Sequence, residues 1–121
     1  MQLSKTEELL MTHLWSLEEA YMKELIECYE NPKPATTTIA TLLKRMKDKG
    51  FVGFTSDGRA RKYFPKVNKE DYVSGQFKGF VNSFFEDSTA QFASFFTKST
   101  NLTKEELKDL RNMIDNQISE K

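Results

Sequence analysis

One thirty-residue stretch constrains the fold more than any other: "TTTIATLLKRMKDKGFVGFTSDGRARKYFP", residues 36–65. Its first half places Ile39, Leu42, Leu43 and Met46 at helical spacing, a single apolar stripe. Lys49 and then Gly50 close that helix, with a base in the last turn and a glycine where a left-handed residue is needed. The second half is rich in aromatic and β-branched residues around "SDG" and ends at Pro65, which predicts a β-hairpin. An amphipathic helix running straight into a hairpin leaves few architectures open.

The preceding segment narrows them further. "SKTE" at 4–7 is a capping box, in which a serine hydroxyl accepts from the glutamate amide while the glutamate reaches back. The helix it opens carries Leu10, Met11, Leu14 and Trp15 on one side. A second helix is expected from about Ala20, with Met22, Leu25, Ile26 and Tyr29 at i, i+3, i+4 and i+7. "NPKP" at 31–34 stops it, since proline lacks the amide donor and pushes its predecessor out of the α region. Three short helices followed by a hairpin is the order of a winged helix-turn-helix, with the third helix as reader and the hairpin as wing. That domain is expected over residues 1–66.

Residues 67–121 read as helical throughout. Asn68 opens a long stretch that holds seven of the ten phenylalanines. "TKEE" at 103–106 is a second capping box, and Leu107, Leu110, Ile114 and Ile118 line the helix that follows. The expected fold class is therefore mainly α with a small β-hairpin wing: a winged helix-turn-helix domain followed by C-terminal dimerisation helices.

Charge supplies the first functional signal. The 121-residue chain has no net charge, yet residues 33–66 hold nine Lys/Arg against two acids, a local +7. Residues 1–32 stand at −5 and residues 67–121 at −2. A concentrated positive segment creates a field that the whole-chain balance conceals. At 100° per residue the third helix turns Thr37, Ala40, Thr41 and Lys44 away from its apolar stripe, with Thr38 and Arg45 on the flank. Short side chains in the N-terminal half suit a helix set deep in a major groove, where threonine offers a hydroxyl and a methyl to base edges. Lys44, Arg45 and Lys47 are long enough to reach phosphates, and Arg59, Arg61 and Lys62 fall at or just beyond the hairpin tip. The expected partner is double-stranded DNA. The competing reading is a winged-helix protein-interaction module without a sequence-specific DNA site, because this fold serves both uses.

Other chemistry finds little support. Cys28 and His13 are the only residues of their kinds, so a metal site of about four N/S ligands has no donors, and no metal or cofactor is expected. Glu18 beside Glu19 and Glu86 beside Asp87 lack a nearby nucleophile or phosphate loop, and no enzyme is expected. No apolar run approaches the ~20 residues of a membrane span, so a cytoplasmic protein is expected.

The phenylalanines predict self-association. A segment of about 55 residues is marginal as an independent core. Two or three helices cannot enclose Phe77, Phe80, Phe84, Phe85, Phe92, Phe95 and Phe96. A large exposed apolar patch marks an interface, and a second copy is the simplest partner. Phe77, Phe80, Phe84, Phe92, Phe95 and Phe96, with Leu107, Leu110 and Ile114, are the candidate dimer interface.

These segments together resemble the penicillinase-repressor (BlaI/MecI) family of bacterial regulators. The likeness includes an N-terminal helix ending in tryptophan ("EELLMTHLW"), the reader helix "TIATLLKRMKDKG", the wing "DGRARKYFP" and the closing helix "LTKEELKDLRNMI". The resemblance implies a homodimeric transcriptional repressor on a palindromic operator. In the family's resistance branch it also implies a membrane sensor-protease that triggers cleavage between asparagine and phenylalanine. The matching position here is Phe95 followed by Phe96, so that asparagine is absent. A copper-responsive branch carries a C-terminal cysteine cluster, whereas the one thiol here is Cys28.

Overall fold

A computed structural model describes residues 2–121. The chain forms α1 (Lys5–Leu17), β1 (Ala20–Tyr21), α2 (Met22–Glu27), α3 (Thr36–Asp48), β2 (Val52–Asp57), β3 (Ala60–Pro65), α4 (Lys69–Phe85), α5 (Thr89–Ser99) and α6 (Lys104–Glu120). It divides into two compact units, one running up to Val73 and the other from Ser74 to Lys121.

In the first unit the capping box is complete. The Glu7 amide donates to Ser4 Oγ at 3.2 Å, and the Ser4 amide donates to Glu7 Oε1 at 2.7 Å. Leu10, Met11 and Leu14 of α1 pack with Leu25 of α2 and with Ile39, Leu43 and Met46 of α3, all fully buried. Each such side chain contributes roughly 1.5–3 kcal/mol on burial. Every apolar position of the α3 stripe is in this core.

The second helix departs from expectation. Ala20 and Tyr21 form a strand, pairing Ala20 with Tyr63 and Tyr21 with Lys62, so the sheet has three antiparallel strands in the order β1-β3-β2. The helix begins only at Met22 and ends at Glu27. Past Glu27 the backbone tightens into i→i−3 bonds, Cys28 N–H to the Leu25 carbonyl and Tyr29 N–H to the Ile26 carbonyl, each 3.1 Å, and Lys33 Nζ donates to the carbonyls of Glu27 (3.0 Å) and Tyr29.

The hairpin turns at Gly58 and Arg59. Gly58 has φ +64, the left-handed value that a two-residue turn with glycine in its first central position requires.

The first unit also reaches beyond residue 66. Trp15 Nε1 donates to the Val67 carbonyl at 2.8 Å, and the Tyr72 hydroxyl donates to Glu8 Oε2 at 2.7 Å. Tyr72 meets Phe51 edge-on and lies tilted against Trp15, and its burial with the Glu8 bond pushes its phenol up to about 12. The start of α4 is thus fastened to the wing domain by side chains on α1, and the compact unit closes seven residues later than residue 66.

In the second unit, Phe85 and Phe92 centre a ring cluster: Phe77 meets Phe92 edge-on at 4.8 Å, and Phe85 meets Phe92 at 5.7 Å and Phe95 at 5.5 Å. Val81 is its one buried apolar side chain among the described residues. Glu86 (φ 51) and Asp87 (φ 62) turn the chain between α4 and α5, and a complete capping box at Thr103 and Glu106 starts α6. Among the described residues, no helix is long and apolar enough to cross a membrane.

Candidate nucleic-acid interface

Thr37, Thr38, Thr41, Lys44 and Arg45 are all exposed on α3. The helix has no side-chain cap at Ala35, so three threonines open it with their side chains free of capping duty. Thr41 Oγ1 donates to the Thr37 carbonyl at 2.9 Å, leaving its methyl and its acceptor lone pairs for a partner. Lys44 pairs with Asp48 at 3.2 Å, but the side chains are 79% and 60% exposed, so the pair holds Lys44 only weakly.

Between α3 and the wing lies an open groove of about 650 Å³. Ala40, Leu43, Phe54, Tyr63, Tyr21 and Met22 are among its lining residues. Five cations face it (Lys23, Lys44, Lys47, Arg59 and Arg61) against one acid, Asp48. Arg61 lies 4.4 Å from the centre of the Phe54 ring, with Lys47 at 5.7 Å from the same ring. Cation–π contact holds a guanidinium flat while leaving its edge free to donate.

The wing is braced from its β1 side. The Tyr21 hydroxyl donates to Asp57 Oδ2 at 2.8 Å, near the turn. That hydrogen bond first, and desolvation second, hold the Tyr21 phenol above its usual pKa. Lys62 pairs with Glu19 at 3.0 Å and sits 5.6 Å from the Tyr21 ring centre. The Glu19 hydrogen bond and charge raise its ammonium pKa.

The expected contact residues therefore sort into three places. Lys44, Arg59 and Arg61 meet at the groove; Thr37, Thr38, Thr41 and Arg45 lie outside it on the remaining exposed face of α3; Lys62 is drawn back to the β1 edge. Lys23 joins the groove from α2, a position hidden in sequence because it falls within the acidic first third of the chain.

The C-terminal half of α3 is clamped from behind. Lys49 Nζ donates to Glu7 Oε1 at 2.7 Å and to the Gln2 carbonyl at 3.1 Å. The Glu7 side chain is only 2% exposed. Burial raises its carboxyl pKa, but the bonds from Lys49 and Ser4 outweigh this and leave it below 4.5.

On the second unit, Phe84 (72% exposed), Phe95 (55%), Phe77 and Phe80 face solvent together with Leu107 and Ile114, while Phe92, Phe96 and Leu110 are half-buried. Met113 and Ile118 of α6 are exposed as well. The bond between Phe95 and Phe96 is internal to α5.

A three-stranded winged helix with a basic groove between its third helix and its wing defines a DNA-binding regulator of the winged-helix class. The chain belongs to the penicillinase repressor family, whose model matches residues 3–116. It is 25% identical over 115 residues to the methicillin resistance regulatory protein MecI of Staphylococcus aureus (strain N315), covering 94% of each chain. It is 26% identical over 117 residues to the penicillinase repressor of Bacillus licheniformis, covering 94% of this chain and 90% of that one. The solved DNA-binding domain of the repressor BlaI matches 59% of this chain and 88% of its own length, at 29% identity and a TM-score of 0.52.

Proposed function

We propose that the protein is a sequence-specific transcriptional repressor that binds a two-fold-symmetric operator as a homodimer. The observation that carries this reading is the juxtaposition of an exposed, short-chained α3 face with a groove bearing five cations and one acid. The threonine half of α3 supplies base contacts, and the groove and the wing supply phosphate contacts.

The exposed apolar residues of the second unit support the dimer. Phe84, Phe95, Met113, Ile114 and Ile118 are each more than half exposed, a surface that covering by a second copy would stabilise. Two reading heads would then face half-sites about one helical turn, ~34–36 Å, or a multiple apart. Control through a membrane sensor-protease, the further partner in this reading, would require α5 to unwind around Phe95 and Phe96 before that bond could enter a protease site.

Two substitutions test the division of roles. Arg59→Ala weakens binding to all duplexes about equally and lowers the salt dependence, because log K falls by about 0.9 per decade of salt for each phosphate contact. Thr41→Ala instead changes which operator is preferred. An indifferent Thr41 together with a wing substitution that alters base preference would overturn the assignment.

A further inference from the structure

We infer that Lys23 of α2, which lines the groove between α3 and the wing, is a direct contact to the DNA backbone. This rests on the DNA-binding reading above and adds a residue to it.

The two sides of α3 differ. On the wheel, Lys47, Ala40 and Lys44 follow one another on the side toward the wing, and these three line the groove. Thr38 and Arg45 lie on the opposite flank and do not line it. The groove side thus offers ammonium groups and a small apolar side chain, and the other side offers short hydroxyls and one guanidinium. A phosphate strand fits the first and base edges fit the second.

Within the groove, three of the five cations already have partners: Lys44 has Asp48, while Arg61 and Lys47 have the Phe54 ring. Lys23 has no ion pair or ring contact among the described residues, although its own helix carries Glu24 and Glu27. The Glu24 carboxylate is held at the start of α2 by the Tyr21 amide at 2.8 Å, which leaves Lys23 beside the groove with its charge uncompensated. An exposed ammonium on a groove lined by four other cations and one acid is placed to pair with an anion that enters. Phosphate spacing along a strand lets cations on both walls engage it at once.

The test compares the full-length protein with Lys23→Gln and, as a control on an exposed lysine of α1, Lys5→Gln. Binding is measured against the operator duplex and a scrambled duplex across a salt series. Lys23→Gln is expected to lower the slope of log K against log salt by about 0.9 and to weaken both duplexes by a similar factor, with Lys5→Gln unchanged. A Lys23→Gln slope equal to wild type, with tight wild-type binding, would overturn the Lys23 contact while leaving the repressor reading intact. A loss confined to the operator would also overturn it, since a phosphate contact carries no base preference. Wild-type protein that binds neither duplex would overturn both.

Discussion

The ion pair between Glu7 and Lys49 should be the most sensitive link between the α1 cap and the reading helix, and its two halves should not be equivalent. Lys49→Met removes the cation from a carboxylate whose side chain is 2% exposed, and whose Oε2 has no hydrogen-bond partner. Stranding a buried charge costs about 3–5 kcal/mol. The lower end applies here, about 3 kcal/mol at pH 7, because Glu7 can take up a proton and keeps its bond from the Ser4 amide. Glu7→Gln leaves the opposite orphan, an ammonium 29% exposed that still reaches water and the Gln2 carbonyl. Its cost should be about 1.5 kcal/mol, the low end of the range for a hydrogen bond to a charged group. Urea unfolding followed by Trp15, the single tryptophan, reports the first unit. In the wild type the Glu7 carboxyl lies below 4.5, so its contribution is present above that value and fades as pH falls through the lower folded value. In Lys49→Met only burial and the Ser4 bonds remain, the carboxyl pKa rises, and the deficit should shrink between pH 7 and pH 4. A deficit under about 1 kcal/mol at pH 7, or one that stays flat to pH 4, would refute the reasoning.

Three further outcomes follow from other residues. Asp48→Asn removes the one acid of the groove and frees Lys44, so affinity for operator and scrambled duplexes should both rise a few-fold in a low-salt anisotropy titration, at a constant ratio. Burial against Tyr29, 4.7 Å away, lowers the His13 pKa from 6.5, so the folded form resists protonation. Stability should therefore fall as pH drops from 6.5 toward the folded value, and a His13→Phe urea midpoint should be flatter over that window. Phe84→Ser, at a position 72% exposed in the single chain, should leave helical circular dichroism unchanged and weaken self-association at least tenfold by sedimentation.

The elements most legible in the sequence were those with dense local signals. The capping boxes at Ser4 and Thr103, the α3 stripe from Ile39 to Met46 and the glycine turn of the wing are each set by a few neighbouring residues, and each forms as its local chemistry dictates. What stayed hidden depends on partners distant in the chain. β1 is two residues long and exists because β3 offers an edge to Ala20 and Tyr21, while the periodicity of Met22 through Tyr29 pointed to a longer helix. The burial of Glu7 depends on Lys49, 42 residues away. Lys62 carries the same charge as Arg59, yet its ammonium is paired with Glu19, just before β1. Lys23 had no signal at all, since its acidic neighbours dominate its segment and only the packing of α2 beside α3 brings it to the groove. The face of α3 was readable; the groove beside it was not, because half of its wall comes from elements whose placement no local pattern encodes.

Sequence-specific binding to DNA is measured by fluorescence anisotropy of the full-length protein against a labelled duplex from its own promoter. A scrambled duplex serves as control, at two salt concentrations. The protein is expected to bind the promoter duplex tightly, with a large preference over the scramble and a steep loss of affinity with salt. Equal affinity for the two duplexes, or no binding to either at low salt, would contradict that expectation.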